Sequence, residues 1–135
     1  MSATLLDTHA LIWLMEEDQS LGQQSRQLAD AAVRENELVV SAITFWETAM
    51  LAQRRRIILA QPLRNWRRRV LELGIEEIPM SGDVGILAVE LEAFHPDPAD
   101  RIITATPLAH GAVLVTADEL ILDWTGSLVR HDARR

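Results

Sequence analysis

The chain has 135 residues, of which 48% are hydrophobic, so it is long enough for one domain with a substantial core and too apolar for a disordered protein. It contains no cysteine, which excludes disulfides and thiolate metal sites and leaves oxygen or histidine as metal ligands. The formal net charge of −7 is not that of a protein that binds nucleic acid over its whole surface.

The beginning of the chain resembles neither a signal peptide nor a membrane anchor. It lacks a basic leader, and Asp7 and His9 interrupt its first apolar run. No apolar stretch is long enough to cross a bilayer. We therefore expect a cytoplasmic protein without membrane contacts, folded as a single domain over residues 1–135.

Short β-like runs alternate with longer helical patterns, which is typical of βαβ units and a parallel sheet. Leu5 and Leu6 end the first predicted strand, and a helix follows over residues 10–15. Residues 38–40 form the second predicted strand, and a third helix follows from about Ile43. Asp7 therefore lies where a strand passes into a helix, at the carboxyl edge of the predicted sheet.

The second predicted helix starts from an N-cap at Ser20 and reaches about Asn36. Its apolar stripe is formed by Leu21, Leu28, Ala31 and Ala32, and Val33 could extend it. The fourth is predicted to begin at Pro62 and to end near Gly74, because proline favours helix starts and glycine favours helix ends. A weak strand over residues 75–78 and a fifth helix, capped by Ser81 or Asp83, come next.

The last third of the chain contains a turn, a helix and the clearest strand. Two prolines within residues 95–101 predict the turn, and Pro107 is expected to bend or interrupt the helix that follows. Gly111 ends that helix, and residues 112–115 form the strand. A last strand is predicted over residues 127–129, followed by a loose polar tail.

Four carboxylates recur at the predicted junctions between elements. Asp7 and Asp118 follow strands, Asp100 lies at the start of a helix, and Glu47 lies about two turns into a helix that follows a strand. If the strands are parallel, all four meet at one edge, where they would repel one another and gain proton affinity. A hard divalent cation, Mg²⁺ or Mn²⁺, would keep them ionised and would suit attack of water on a phosphodiester.

Each acidic position also has a structural explanation. Asp7 or Thr8 could simply cap the first helix, and Glu47 could lie on a solvent-facing side of its helix. Asp97, three residues before Asp100, could be an outer ligand or base, or a helix cap.

All 13 basic residues are arginines, and many are clustered. Arg64, Arg67 and Arg68 have the spacing of one helix flank, and guanidinium forks match phosphate geometry, so this flank is a candidate RNA-binding surface. The alternative is a solvated helix face. The same choice, between a structural position and RNA contact, is open for the tryptophans Trp13, Trp46, Trp66 and Trp124.

Four segments together carry a resemblance to a known family. Residues 5–13 resemble the opening of PIN-domain nucleases, in particular the VapC-type toxins of bacterial toxin–antitoxin pairs. Residues 41–47, 97–103 and 114–118 are similar to the second, third and fourth motifs of that family. Each motif is weak alone, but the four occur in the family's order and spacing over nearly the whole chain.

The resemblance implies a PIN-like three-layer α/β/α fold with a central, mostly parallel sheet of four to five strands. It implies a Mg²⁺-dependent endoribonuclease in which Asp7, Glu47, Asp100 and Asp118 are the catalytic and metal-binding residues, Asp7 and Asp100 most firmly. Thr116 would orient a carboxylate or water in a supporting role. The protein would form a homodimer, be silenced by a cognate antitoxin, and cleave tRNA or another structured RNA, which inhibits translation and growth.

Other functions stay open at this point. A phosphatase with an Asp7 nucleophile would usually need a carboxylate two residues later, where this chain has His9. A PIN-like RNA-processing nuclease without a toxin role and a catalytically silent PIN-like scaffold are the remaining alternatives. The histidines lack metal-ligand spacing and are left out of the predicted site: His9, His95, His110 and His131.

Overall fold

The structure, a computed structural model, describes residues 2–135 and contains one five-stranded sheet with helices on both sides. Every strand pairing is parallel, which confirms the predicted α/β fold and strand number. Within residues 2–135, none of the helices has the length and apolar character needed to span a membrane. In chain order the elements are β1 (Thr4–Leu6), α1 (Thr8–Met15), α2 (Gln23–Arg34), β2 (Leu38–Ser41), α3 (Ile43–Gln53), α4 (Leu63–Glu72), β3 (Glu76–Ile78), α5 (Gly82–Glu90), α6 (Pro98–His110), β4 (Val113–Thr116), α7 (Glu119–Leu122) and β5 (Arg130–Asp132).

The strand order, β3-β2-β1-β4-β5, places a topological switch point between β1 and β4. β2 and β3 lie on one side of β1, whereas β4 and β5, which come later in the chain, lie on its other side. In open parallel sheets, ligands bind in the crevice that such a reversal leaves at the carboxyl ends of the strands. The register pairs Leu6 with Val115, so Asp7 and Thr116 are next to each other at this edge.

Both faces of the sheet are covered, as expected for parallel strands whose crossover connections are helical. Leu6 and Val115 belong to a core that includes Trp66 of α4, whose side chain is fully buried. Leu5 lies on the opposite face and belongs to a second core with Ile103 of α6. The alternation of successive strand residues between two cores gives the three layers that the resemblance implied.

Helix starts and ends that depend on local chemistry are as predicted. Pro62 precedes α4, and the Ser81 hydroxyl oxygen accepts a hydrogen bond from the Val84 N–H at the start of α5. Gly111 ends α6 with a φ of 65°, a left-handed conformation that glycine adopts without steric cost.

The expected interruption at Pro107 is wrong, because α6 continues through it to His110. Proline removes one backbone hydrogen bond, but here it lies in the last turn, where little helix remains to be lost. The Pro107 carbonyl accepts a hydrogen bond from the Ala112 N–H, and the Thr106 hydroxyl donates to the Ile102 carbonyl. The acidic positions at the other end of the helix are unaffected.

The predicted start of the second helix is wrong, and its predicted apolar stripe is only partly correct. The helix begins at Gln23 after an N-cap at Gly22, and Leu28 is 41% exposed. Ala32 is buried as predicted, together with Ala29, whereas Ala31 is exposed. Leu21 is also buried, but it precedes the first residue of the helix.

The end of the chain differs most from the prediction. The last strand is β5, not residues 127–129, and the tail beyond it is held in place. Ala133 is fully buried and its carbonyl accepts a hydrogen bond from the Gly22 N–H (2.8 Å). The Arg135 carbonyl accepts another from the Ser25 N–H (2.9 Å). β5 is a polar edge strand that forms through backbone hydrogen bonds with β4. Such pairing leaves no hydropathy pattern in the sequence.

Candidate active site

A cleft of about 440 Å³ opens at the carboxyl edge of the sheet, at the switch point between β1 and β4. Its acidic lining residues come from four separate segments of the chain: Asp7, Glu47, Asp97, Asp100 and Asp118. The parallel sheet brings these segments together, since each segment follows or adjoins the carboxyl end of a strand.

Asp7 is the most buried of these acids, with 6% of its surface exposed. It caps α1, because Oδ1 accepts a hydrogen bond from the Ala10 N–H (2.8 Å). Oδ2 accepts a second from the Thr116 hydroxyl. Burial raises the pKa of Asp7 to about 6, although both hydrogen bonds act in the opposite direction. The capping alternative is therefore correct, and the same carboxylate also lines the cleft.

Thr116 connects two of the acids. It is fully buried at the end of β4, where its hydroxyl donates to Asp7 and accepts a hydrogen bond from the Asp118 N–H (3.1 Å). The Asp7 N–H in turn donates to the Val115 carbonyl (3.0 Å). The side chain thus has the position that a residue orienting Asp7 requires.

Asp97 and Asp118 both cap helices. The Asp97 Oδ1 atom accepts a hydrogen bond from the Asp100 N–H (2.9 Å), and the Asp118 Oδ1 atom accepts one from the Leu120 N–H (2.8 Å). Each cap uses one carboxylate oxygen. In the described part of the chain, the second oxygen of each has no hydrogen-bond partner.

Asp100 lies close to a histidine that the sequence analysis left out. The His95 Nε2 atom is 2.7 Å from the Asp100 Oδ2 atom, and both side chains are largely buried. Burial raises the pKa of Asp100 to about 6; His95 lowers it, whereas the charges of Asp97, Asp118 and Glu47 raise it. His95 was missed because its partner is a single carboxylate across a turn, and no ligand spacing marks that arrangement.

Arg101 holds this turn in shape. Its guanidinium donates to the carbonyls of Phe94 (2.6 Å), His95 (3.0 Å) and Ala88 (3.0 Å), and it lies over the Phe94 ring. The His95 ring stacks on Phe94 with the ring centroids 4.4 Å apart. These contacts fix the shape of the turn and hold His95 in a defined position beside Asp100.

Glu47 is half-buried on α3 and lines the cleft, so it does not lie on a wholly solvent-facing side of its helix. Its charge contributes to raising the pKa of both Asp7 and Asp100. The four carboxylates that the sequence analysis grouped are therefore neighbours in one cleft.

The donor atoms of the cleft fit a divalent cation. One ligand atom each from His95, Asp100 and Asp118 lies within 4.8 Å of the others, and Asp7 and Glu47 add carboxylates to the same cleft. Buried carboxylates that raise one another's pKa are relieved by a positive ion. Oxygen ligands with at most one imidazole favour a hard or intermediate metal.

The arginines of α4 lie elsewhere. Arg64, Arg67 and Arg68 are exposed, and none of them lines the acidic cleft. Arg67 forms a two-point ion pair with Glu77 (2.8 and 3.0 Å) and lies over the Phe45 ring. Arg67 therefore has a structural role beside β3, whereas the other two are available to a partner.

The tryptophans divide between core and surface. Trp66 is a core residue, and the Trp124 indole donates to the Glu92 carbonyl (2.8 Å). Trp46 is 53% exposed, and Trp13 lines the acidic cleft. Trp13 is therefore placed to contact a ligand in the cleft, whereas Trp46 is open to solvent.

Comparison with known proteins agrees with this architecture. The family model described as PIN domain matches residues 4–123. Ribonuclease VapC22 from Mycobacterium tuberculosis is 39% identical to this chain over 119 residues, which cover 87% of this chain and 88% of that protein.

Solved structures share the fold at lower sequence identity. VapBC2 from Rickettsia felis bound to a promoter DNA fragment has a TM-score of 0.71 at 15% identity, covering 96% of this chain and 97% of that one. DNA-bound VapBC from Salmonella typhimurium has a TM-score of 0.69 at 18% identity and covers 98% of both chains. A toxin–antitoxin complex from Klebsiella pneumoniae has a TM-score of 0.61 at 22% identity, covering 94% and 96%. Given the length of the family match and the identity to its ribonuclease relative, this chain belongs to the PIN domain family.

Proposed function

We propose that this protein is a metal-dependent endoribonuclease and the toxin of a toxin–antitoxin pair. The observation that carries the proposal is the meeting of Asp7, Glu47, Asp100 and Asp118 in one cleft, with the pKa of two of them raised to about 6. The relative at 39% identity is named a ribonuclease, which supports RNA as the substrate.

The four carboxylates would hold Mg²⁺ or Mn²⁺. When bound, the ion would lower the pKa of a water molecule and neutralise charge on the phosphate. Thr116 and the Ala10 N–H hold Asp7, and His95 holds Asp100, so both carboxylates are oriented before the ion arrives. Asp97 supports the site by capping α6. Ligands held in this way lose little entropy on binding.

The proposed partner is a cognate antitoxin that covers the acidic cleft. The structural neighbours were solved as toxin–antitoxin complexes, which supports this assignment for a chain of the same fold. Homodimerisation and the choice of tRNA or another structured RNA stay predictions of the family resemblance. A silent scaffold is less favoured, because such a protein would gain nothing from keeping costly buried carboxylates.

The nuclease assignment is tested with purified protein and bulk tRNA in Mg²⁺, in Mn²⁺ or in EDTA. We expect cleavage with either ion, none in EDTA, and loss of activity in Asp7→Asn and Asp100→Asn. Asp30→Asn, which changes an exposed carboxylate on α2, is the matched control and should cleave like the wild type. Cleavage in EDTA, or full activity in both cleft variants, would reject the mechanism.

The toxin assignment needs a separate test in growing cells. Expression of the wild type should slow growth, whereas Asp100→Asn should not, and co-expression of the neighbouring gene product should restore growth. If an active nuclease proves harmless, the toxin role is wrong and the RNA-processing alternative gains support.

A further inference from the structure

One arginine lies among the acids. Arg134 lines the acidic cleft, and of the described residues it is the only arginine that does so. Its Nε and Nη2 atoms donate to Asp132 (2.9 and 2.8 Å), and Nη2 also contacts Glu119 (2.7 Å). Two carboxylates therefore hold the guanidinium in one orientation at the edge of the cleft.

The position of Arg134 is set by the backbone on either side of it. The buried Ala133 donates its N–H to the Thr116 carbonyl (2.9 Å) and accepts from the Gly22 N–H (2.8 Å). The Arg135 carbonyl accepts from both the N–H and the hydroxyl of Ser25 (each 2.9 Å). Residues 133–135 are thus bound to β4 on one side and to the start of α2 on the other.

Gly22 makes this close approach possible. A Cβ atom at position 22 would lie 2.0 Å from the Arg135 carbonyl carbon, far inside any allowed contact. Any side chain at position 22 would displace residues 133–135 from α2. Gly22 therefore influences the position of Arg134 through the backbone of residues 133–135.

The guanidinium keeps part of its binding capacity. The contacts with Asp132 and Glu119 use Nε and Nη2, and within residues 2–135 the two N–H groups of Nη1 have no acceptor. The side chain of Arg134 is 46% exposed. An arginine that is already immobilised binds a phosphate oxygen with a smaller loss of side-chain entropy than a free one.

We propose that Arg134 binds a phosphate group of the RNA backbone at the edge of the cleft and so contributes to the affinity for the RNA strand. Residues 133–135, bound to Gly22 and Ser25, place it there. This inference rests on the proposed function, because the scissile phosphate must lie in the acidic cleft. It adds one positive group to a cleft whose acids alone would repel the substrate.

The test compares Arg134→Gln with Arg135→Gln, which remove the same charge from adjacent exposed positions. Binding of a single-stranded oligoribonucleotide is measured in the Asp100→Asn background at several salt concentrations. We expect Arg134→Gln to raise Kd about tenfold and to reduce the salt slope by about 0.7, the value for one phosphate contact on a single strand. Arg135→Gln should change Kd less than about twofold. Equal effects of the two variants would overturn the inference.

Cleavage kinetics provide the second measurement. In the active background, Arg134→Gln should raise KM by a similar factor and leave kcat nearly unchanged, because it removes binding that ground and transition states share. A fall in kcat with unchanged KM would contradict the proposed role. If the wild type cleaves no RNA, the nuclease assignment fails, whereas an active wild type with indistinguishable variants rejects only the role of Arg134.

Two further variants separate binding from folding. Arg134→Lys keeps the charge without the planar fork, so we expect an intermediate KM and a native circular dichroism spectrum. Gly22→Ala changes no cleft residue, and we expect it to raise KM as Arg134→Gln does. Normal KM in Gly22→Ala, with residues 133–135 shown by proteolysis to be released, would disprove the placement mechanism.

Discussion

The acidic cleft and the arginine face of α4, formed by Arg64, Arg67 and Arg68, are both dense in charge but differ in burial. Asp7 is 6% exposed and Asp100 is largely buried, and protein donors hold both. The arginines are exposed, and only Arg67 has a carboxylate partner. Burying a charge costs free energy, whereas exposing one costs little. A buried cluster therefore indicates a ligand more strongly than an exposed one does.

The largest expected effect concerns the stability of the metal-free protein. Burial raises the pKa of Asp7 from 3.8 to about 6, so between these values the unfolded chain releases its proton first. The free energy of unfolding then falls as pH rises through this range, by about 3 kcal/mol in total. Asp7→Asn should therefore be more stable than the wild type in EDTA at pH 7.5, measured by urea denaturation, and equally stable below pH 4.

The contrast between the buried acids and the exposed arginines depends on this difference in stability between Asp7→Asn and the wild type. Asp30→Asn, on the exposed surface of α2, is the control: it retains Asp7, so its free energy of unfolding should follow that of the wild type across this pH range. Equal stability of the wild type and Asp7→Asn at pH 7.5 would mean that the buried charge carries no cost.

Binding of a divalent ion in the cleft should restore part of the stability that is lost when Asp7 ionises. At an ion concentration one hundred times Kd, the free energy of unfolding rises by about 2.7 kcal/mol. The gain should shrink as pH falls through 6, because protons compete for Asp7 and Asp100, whose pKa values are both about 6. Thermal unfolding with and without Mn²⁺ at each pH measures this gain in stability. A gain that is the same at pH 5 and pH 8 would place the ion elsewhere.

His95 and Thr116 should have smaller but distinct effects on activity. His95→Ala and Thr116→Val remove the donors that hold Asp100 and Asp7. Loss of such outer partners typically lowers metal affinity or activity by about 10–100-fold. Metal titration of cleavage measures the change, and His95→Gln, which retains a donor, should recover part of it. His110→Ala, at the exposed end of α6, is the control.

The smallest effects are expected on the arginine face. Arg67→Gln breaks an ion pair with Glu77 that is partly exposed, so it should cost less than about 1 kcal/mol of stability. Arg64→Gln with Arg68→Gln should leave stability unchanged and should lower the salt slope of RNA binding if this face contacts RNA. An unchanged slope would remove the arginine face from the proposed RNA-binding surface and leave the cleft as its main part.

The parts of the fold that depend on local chemistry could be predicted. Pro62, Ser81 and Gly111 mark helix ends because proline, a capping hydroxyl and a left-handed glycine act within a few residues. β5 and the start of α2 could not, because their partners are far along the chain. Ser25 and Arg135 are 110 residues apart, and no periodicity links them.

The candidate site shows the same division. Carboxylates after apolar runs, such as Asp7 and Asp118, are visible in the sequence because a charge that ends a buried strand needs a reason. His95, Arg101 and Arg134 were missed because each acts through contacts that only a folded turn or a bound chain segment creates. Their residue types are common on protein surfaces, so nothing local distinguishes them.

The sequence by itself determined the alternation of strands and helices, the family, and the places where acids follow strands, because hydrophobic periodicity and capping chemistry are local. Only the tertiary structure decided that four distant acids share one cleft, that Asp7 is buried away from solvent, and that Arg134 lies beside them. The physical reason is that desolvation and ion pairing depend on distance in space, and the order of strands in the sheet sets that distance.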